Sequence, residues 1–330
     1  MRDIVFAVPS VKRETPESMS FVKRLARGIE DLGTKVHVLR VVKSANPLDF
    51  LRQGMALRRL IHETSPALVV AQFGTYTGLL VALFSRGPVV ITYRGSDLNP
   101  DPSTNRLMQA VQHGASHLAS FFADGIVCVS RELSNRLLIG TRREVIPSPI
   151  DLDLSQPMDP RESRRVLGWD EGQRTAVFLG GRNPKLKGID LAEDVRRELL
   201  RRRSPVDLRI VGHEIPIASV PVYLNAADCL LSLSRFEGSP NLVREACACN
   251  LPVVATPAGD IEDVLRDVVP ARMVSHDVNE VADAVEDICR LGVRSNGRDH
   301  VAEYSTARIS RRSLEFYEAI VKDYSRGNAH

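Results

Sequence analysis

Short apolar runs alternate with amphipathic segments along nearly the whole chain. Segments such as Val89–Tyr93 and Val206–Val211 predict strands, and segments with apolar residues every three or four positions predict helices. A regular alternation of strand and helix is typical of right-handed crossovers between parallel strands. The pattern therefore predicts an α/β protein built from doubly wound sheets.

The alternation stops once, in a segment rich in proline and aspartate that runs from Pro147 to Pro160, and then restarts. We predict an interdomain linker there, a first domain at 1–150 and a second at 151–300. A long terminal helix is expected over Val301–Tyr324, within a final segment 301–330 for which a return to the first domain is one option. In sheets of this kind, ligands bind beyond the carboxyl ends of the strands.

A strand-to-helix turn in the second domain concentrates candidate chemistry. A strand is predicted at Cys229–Leu233 and a helix at Asn241–Cys249. Glu237 then lies in the loop at the carboxyl end of the strand, and Glu245 lies in the second turn of the helix.

The start of that helix adds donors for an anion. Ser239 is a good N-cap, and Pro240 suits the first helical position, where its missing N–H costs nothing. The amides of Asn241 and Leu242 would then point into the space beside the glutamates, and helix N-termini attract anions. The turn therefore suits a ligand that carries both phosphate and hydroxyl groups.

A second candidate is the basic glycine loop Gly180–Gly188, which follows a predicted strand and opens a helix. Glycines allow close backbone approach, and Arg182 and Lys187 place two cations near the helix start, which suits a diphosphate. The loop is not a P-loop, because no Lys-Ser/Thr follows the glycines. On its own, this sequence is as typical of a solvated surface loop as of a binding loop. Together with the glutamate turn, it indicates one binding site.

The charge distribution of the chain limits the classes of partner that it is expected to bind. The net charge of the 330 residues is +3, and residues 1–155 carry 19 lysine and arginine against 14 acidic residues. This basic excess fits solvated helix faces or a surface for anionic lipid or an acidic acceptor. Nucleic acid is not expected as a partner, because aromatic residues do not interleave with the charges.

Five cysteines without metal-type spacing indicate free thiols in a reducing compartment. The opening sequence does not resemble a signal peptide, and no apolar run approaches the ~20 residues of a membrane span. We therefore expect a soluble, cytoplasmic protein, with peripheral contact at the inner face of the membrane as an additional option.

These motifs resemble the GT-B retaining glycosyltransferases of family 4. Residues 222–228, 234–241 and 245–256 are similar to the family's motifs nearly position by position, and residues 145–151 to its interdomain segment. Glu237 and Glu245 match its E-x7-E motif. The resemblance implies two Rossmann-like domains that face each other across a cleft, although the first ninety residues agree only in element order.

The resemblance also implies roles. Glu245 would accept hydrogen bonds from ribose hydroxyls, Glu237 would orient the donor sugar, and Arg182 and Lys187 would neutralise the leaving diphosphate. Further expected donor-site residues are Gly181, His213, Gly238, Ser239, Pro240, Asn241 and Leu242.

The implied reaction is a metal-independent, retaining transfer of a hexose from a UDP- or GDP-type nucleotide diphosphate sugar to an acceptor hydroxyl. The acceptor would be a glycan, a lipid-linked sugar or a small molecule, and no cofactor is expected. Asp151 and Asp153 have the D-x-D spacing of metal-dependent transferases, but they lie in the predicted linker, and we interpret them as part of it.

Three departures from the family pattern concern the donor and the acceptor. The first βα loop, residues 9–18, has no glycine, and a family histidine before Gly-x-Asp is replaced by Arg94. Arg94 and Asp97 are nevertheless expected on the acceptor side. The family's late Gly-Gly-x-x-Glu reads Gly-Asp-Ile-Glu-Asp here, with Asp263 at the acidic position.

Two other classes stay open from the sequence. A GT-B relative with different chemistry would be a nucleotide-sugar epimerase or a sugar phosphorylase. A two-domain sugar-binding protein without catalysis would share the doubly wound architecture. The base, the sugar, the acceptor, the linkage and the oligomeric state do not follow from these motifs.

Overall fold

The computed structural model describes residues 3–10, 19–100, 104–138, 142–181, 183–212 and 215–327. The chain divides into two compact units. The first comprises Met1–Pro149 and Thr306–His330, and the second comprises Ile150–Ser305. The terminal helix thus belongs to the first unit.

The first unit is a parallel sheet with helices on its faces. Its strands are β1 (Ile4–Pro9), β2 (Val36–Val41), β3 (Leu68–Gln72), β4 (Val89–Tyr93), β5 (Gly125–Cys128) and β6 (Arg142–Val145). Its helices are α1 (Ser20–Glu30), α2 (Pro47–Thr64), α3 (Tyr76–Phe84), α4 (Arg106–Phe121), α5 (Arg131–Arg136) and, from the end of the chain, α13 (Thr306–Gly327).

The strand order of this sheet is β2-β1-β3-β4-β5-β6, with every pair parallel. The direction of strand addition reverses beside β1, which separates β2 from β3. Strands β3 and β4 are buried along their whole length, which explains why they read as continuous apolar runs. A reversal of this kind leaves a crevice at the carboxyl edge of a sheet.

Helix α13 packs against α1 on one face of this sheet. The helices approach closely because α1 carries Gly28, where a Cβ atom would lie 2.2 Å from Oγ of Ser310. Phe316 and Ile320 of α13 are buried against the sheet, and a Cβ at Gly125 of β5 would lie 2.7 Å from Ile320. These contacts make the last helix part of the first unit's core.

The second unit repeats the architecture. Its strands are β7 (Arg174–Leu179), β8 (Val206–Val211), β9 (Cys229–Ser232), β10 (Val253–Ala255) and β11 (Ala271–Met273). Its helices are α6 (Pro160–Leu167), α7 (Ile189–Arg201), α8 (Val220–Ala226), α9 (Asn241–Ala248), α10 (Ile261–Leu265), α11 (Val278–Leu291) and α12 (Gly297–Val301). The strand order is β11-β10-β9-β7-β8, again parallel.

A helix that the sequence analysis missed, α6, begins at Pro160, the last residue of the predicted linker. Asp159 caps α6 by accepting a hydrogen bond from the amide of Arg161 at 2.9 Å, and Gly168 ends the helix in the left-handed conformation. The helix is so rich in charge that it shows little apolar periodicity. It is fixed instead by buried Arg164, which donates to the carbonyl of Ala226 and to Asp228, both at 2.8 Å.

The terminal helix starts later than predicted. Residues 297–301 form α12, residues 302–304 form a 3-10 turn, and α13 begins only at Thr306. Ser305 is extended and forms a parallel bridge with Ile150, so the two ends of the second unit lie side by side. Because Ser305 is extended here, the helix cannot run unbroken from residue 301.

The five cysteines are buried and free, and burial raises the pKa of Cys247 and Cys289 to about 12. They pack in the core as inert thiols. None of the described helices combines the length and apolar character needed to cross a bilayer.

Candidate functional site

The predicted donor-site residues of the second unit gather at the carboxyl edge of its sheet. Strand β7 lies beside β9, and β9 beside β10. The loops that follow these three strands therefore emerge next to one another. They carry the basic glycine loop, the glutamate turn and Gly259, respectively.

The basic loop and the glutamate turn pack directly together. Gly188 has φ +85°, and a Cβ atom there would lie 2.2 Å from the carbonyl oxygen of Leu233, at the end of β9. The amide of Arg235 donates to the carbonyl of Leu186 at 3.4 Å. Only glycine permits this backbone approach, which fixes the start of α7 against the end of β9.

The side chains of Lys187 and Glu237 meet at this edge. Nζ of Lys187 donates to Oε1 of Glu237, and the hydroxyl of Ser234 donates to the same oxygen at 2.7 Å. The Glu237 side chain is 13% exposed, whereas that of Lys187 is 32% exposed. The ammonium therefore reaches solvent from beside a largely buried carboxylate, where it can meet an anionic group.

The third loop supports Glu237 from the other side. Gly259 has φ +63°, and a Cβ atom there would lie 3.0 Å from the carbonyl oxygen of Gly238 and 3.2 Å from Cβ of Glu237. Thr256, just after β10, donates its hydroxyl to the carbonyl of Ser234 at 3.0 Å. The glutamate loop is thus held between its two neighbours.

Helix α9 begins at Asn241, as predicted, but its N-cap residue differs from the predicted Ser239. Pro240 is the N-cap and Asn241 the first helical residue, with no side-chain cap. Ser239 does not cap the helix: its hydroxyl accepts a hydrogen bond from Nη1 of Arg244 at 2.7 Å. Glu245 lies half-buried in the second turn, on the helix that starts from the glutamate loop.

The remaining predicted donor-site residues fall in two groups. Gly238 and Leu242 lie in the glutamate loop and the first turn of α9, and Gly181 follows β7 with φ +56°. Arg182 and His213 lie outside the described residues. Only their positions in the sequence, shortly after β7 and β8, relate them to this edge of the sheet.

A buried ion pair beneath the glutamate loop escaped the sequence analysis. Arg244 has no exposed side-chain surface, pairs with Asp260, and stacks its guanidinium 4.5 Å from the ring centroid of Tyr304. Burial raises the pKa of Asp260, and Arg244 opposes that shift. Because Arg244 also holds Ser239, it connects the loops after β9 and β10. Asp263, the acidic position of the family pattern, instead pairs with exposed Arg266.

No group of three His, Cys, Asp or Glu side chains is arranged to hold a metal ion in the part of the chain that the structure describes. In the D-x-D segment, Asp151 accepts hydrogen bonds from the amides of Asp153 and Leu154, at 3.1 and 3.0 Å. Its carboxylate therefore stabilises a turn.

In the first unit, Arg94 lies at the carboxyl edge of the sheet, directly after β4. Its Nε and Nη2 donate to Oε1 of Gln72 at 3.0 and 2.5 Å, and its Nη1 donates to Oγ of Ser148 at 3.0 Å. The guanidinium carbon lies 4.5 Å from the ring centroid of Phe21. Arg94 is half-buried, and these contacts fix the direction of its guanidinium.

Asp97 lies below Arg94 and is 1% exposed. Its Oδ1 accepts from the amide of Gly74 at 2.9 Å and its Oδ2 from the amide of Arg94 at 2.7 Å. Burial raises the pKa of Asp97 to about 6, and these hydrogen bonds oppose the shift. Asp97 therefore fixes the loops after β3 and β4, and it is more deeply buried than Arg94.

Two family models match the chain. One described as Glycosyltransferase Family 4 matches residues 4–154, and one described as Glycosyl transferases group 1 matches residues 214–290. The first match covers most of the first unit, and the second covers the glutamate turn.

Among curated proteins, the chain is similar to the D-inositol 3-phosphate glycosyltransferase of Mycobacterium tuberculosis (strain ATCC 25618 / H37Rv). The two are 27% identical over 217 residues, which cover 56% of this chain and 45% of that protein. The chain thus spans about half the length of the curated relatives that it matches.

Solved structures extend the similarity to nearly the whole chain. Sucrose-phosphate synthase from Thermosynechococcus elongatus aligns with a TM-score of 0.75 and 17% identity over 97% of this chain and 99% of that one. Anabaena Alr3699/HepE in complex with UDP aligns with a TM-score of 0.73 and 16% identity over 96% and 100%. These neighbours confirm the predicted GT-B fold. The chain therefore has the GT-B fold, and two of its segments match glycosyltransferase family models.

Proposed function

We propose that this protein is a glycosyltransferase that moves a hexose from a nucleotide diphosphate sugar to an acceptor hydroxyl, with retention of configuration and without a metal ion or cofactor. The observation that carries the proposal is the contact between Lys187 and Glu237. It brings a cation for a leaving diphosphate and a carboxylate for sugar hydroxyls to the edge of a sheet where ligands bind.

The charged residues of the predicted donor site and the start of α9 have distinct roles in this proposal. Lys187 and Arg182 neutralise the charge that develops on the diphosphate as the glycosidic bond breaks, which is the kind of electrostatic term that often dominates catalysis. The first amides of α9, from Asn241 onward, donate to phosphate or sugar oxygens. Glu245 accepts hydrogen bonds from the ribose, and Glu237 orients the transferred sugar.

The Anabaena neighbour, whose structures hold UDP and UDP-glucose, supports a uridine donor over a guanosine donor. The acceptor in this proposal is a glycan, a lipid-linked sugar or a small molecule. The proposal also includes the location of the protein. It is cytoplasmic, and its basic first unit contacts anionic lipid at the inner face of the membrane.

The test combines a panel of UDP-, GDP-, ADP- and dTDP-hexoses with sugar acceptors and follows the products by proton NMR. The proposal predicts acceptor-dependent release of one nucleotide diphosphate, a product with the anomeric configuration of the donor, and full activity in EDTA. A product of opposite configuration contradicts retention, and loss of activity in EDTA contradicts metal independence. A free sugar with an inverted ring carbon indicates an epimerase instead, and no turnover with any donor indicates a sugar-binding protein.

A further inference from the structure

The guanidinium of Arg94 carries a charge that no carboxylate of the described residues neutralises by an ion pair. Its three hydrogen bonds go to a neutral amide and a neutral hydroxyl, those of Gln72 and Ser148. The two carboxylate oxygens of Asp97 instead accept hydrogen bonds from the backbone amides of Gly74 and Arg94. Arg94 is thus held in place by neutral groups.

Two arginines withdrawn from solvent are each paired with a carboxylate, Arg164 with Asp228 and Arg244 with Asp260. Pairing is the usual arrangement, because a charge withdrawn from water is costly unless it is paired. Arg294 and Arg298, like Arg94, donate to neutral acceptors, but they hold backbone carbonyls inside the second unit. Arg94 lies instead at the carboxyl edge of a parallel sheet, directly after β4.

The position of Arg94 is that of a ligand-binding residue. Gln72 ends β3, and Phe21 lies in the first turn of the helix that follows β1. Strands β1 and β3 are neighbours at the point where the direction of strand addition reverses, which is where open α/β sheets bind ligands. The group that Arg94 faces there belongs to the acceptor if the other unit binds the donor.

The guanidinium still has capacity for an anion. Three of its five N–H groups donate to Gln72 and Ser148, so two have no acceptor among the described residues. The amide nitrogen of Gln72 is also buried without a hydrogen-bond partner in the described part of the chain. Burial lowers the pKa of Arg94 to about 10, and the charges of Tyr317 and Asp97 offset this shift only in part.

We infer that Arg94 binds an anionic group of the acceptor, a phosphate or a carboxylate, at the carboxyl edge of the first unit's sheet. Two parallel N–H groups of one guanidinium match two oxygens of either anion. The inference rests on the proposed glycosyltransferase function and specifies its acceptor class.

The experiment compares thermal unfolding of the full chain in inorganic phosphate, acetate and chloride at equal ionic strength. The variants are Arg94→Gln, Arg94→Lys and the control Arg58→Gln. Arg58 is also half-buried in the first unit and lies over a phenylalanine ring, that of Phe84 at 5.5 Å, but it belongs to α2. Phosphate that binds at Lys187 raises the unfolding temperature of all these proteins equally, so the difference between variants isolates Arg94.

We expect phosphate or acetate to raise the unfolding temperature of the wild type by about 2–4 °C more than that of Arg94→Gln, the shift produced by about 1 kcal/mol of binding. Arg58→Gln should respond like the wild type, and Arg94→Lys should keep part of the shift because it keeps the charge. A larger response to phosphate identifies a phosphorylated acceptor, and a larger response to acetate identifies a carboxylated one. Equal responses of wild type and Arg94→Gln to both anions overturn the inference.

The same samples receive UDP and GDP, which separates this inference from the proposed function. A nucleotide shift that persists in Arg94→Gln, together with equal anion responses, rejects the role of Arg94 and leaves the transferase proposal standing. An anion shift that depends on Arg94, without a shift with any nucleotide, supports the role of Arg94 and counts against the transferase proposal.

Discussion

The ammonium of Lys187 contacts the carboxylate of Glu237, although 50 positions separate them in the chain. The contact joins the loops after β7 and β9. It is possible because Gly188 lets the start of α7 approach the backbone at the end of β9 closely. A single buried carboxylate thus orients a partly exposed cation. We consider this pair the centre of the donor site, and the following predictions examine the residues that hold it.

Replacing Lys187 by methionine should lower kcat by a factor of about 10² to 10³ and change KM much less. The reason is that the ammonium acts mainly on charge that develops in the transition state. Steady-state kinetics with whichever nucleotide sugar of the donor panel supports turnover measure both constants. Lys185→Met, in the same loop but exposed, is the matched control and should keep wild-type values. A Lys187→Met enzyme with unchanged kcat is incompatible with this role.

Gly259→Ala should abolish most activity, because the new Cβ would press on Gly238 and Glu237. Gly168→Ala is the control: φ is +67° there, but no atom lies within 4 Å of the added Cβ. Both variants should lose about 1 kcal/mol of unfolding free energy from the left-handed backbone. Chemical denaturation and initial rates, measured in parallel, separate the two effects. Equal activity of the two variants would refute the role of Gly259 as a support for Glu237.

Arg244→Met should reduce the unfolding free energy by about 3–5 kcal/mol, since it leaves the buried carboxylate of Asp260 without its partner. The double variant Arg244→Met/Asp260→Asn should recover a large part of that loss, because no charge then remains unpaired. Arg266→Met, which removes an exposed pair with Asp263, should leave stability nearly unchanged. Denaturant titration gives all the values, and a double variant as unstable as the single one contradicts the explanation.

Asp97→Asn should change the pH dependence of stability. Burial raises the folded-state pKa of Asp97 to about 6, above its unfolded value of 3.8, so the folded chain holds this proton more tightly. The stabilising contribution is complete below about pH 4 and is lost as the pH rises through about 6. The unfolding free energy of the wild type minus that of Asp97→Asn should therefore fall by roughly 2–3 kcal/mol between pH 4 and pH 7. A difference that stays constant or rises over this range contradicts the raised pKa.

The strands are the parts of the fold that the sequence predicted best, and β4 and β8 have the predicted bounds. β4 is buried along its whole length and shows an unbroken apolar run, as is typical of a strand inside a parallel sheet. β8 lies at the edge of its sheet and shows polar residues between apolar ones. Helix α6 was missed because polar contacts, rather than an apolar face, hold it in place. The terminal helix was predicted too long because the break at Ser305 comes from its pairing with Ile150, a contact that local periodicity does not contain.

For the candidate site, too, local features could be predicted from the sequence and long-range contacts could not. Glu237, Glu245 and Lys187 could be singled out because each lies in a strand-to-helix turn that is visible locally. The contact between Lys187 and Glu237 depends on the order of the strands, which the sequence does not state. The sequence analysis assigned no role to Arg244 or Asp260, because only their burial as an ion pair distinguishes them.

The most direct measurement for the central claim is thermal unfolding of the wild type and Glu245→Gln with UDP, GDP, ADP and dTDP in excess. A nucleotide at ~100 times its dissociation constant should stabilise the protein by ~2.7 kcal/mol. The account predicts a clear rise of the unfolding temperature with one nucleotide diphosphate, UDP first, and a much smaller rise in Glu245→Gln. The absence of a shift with all four nucleotides, or the same shift in both proteins, would contradict a nucleotide site at this edge of the second unit.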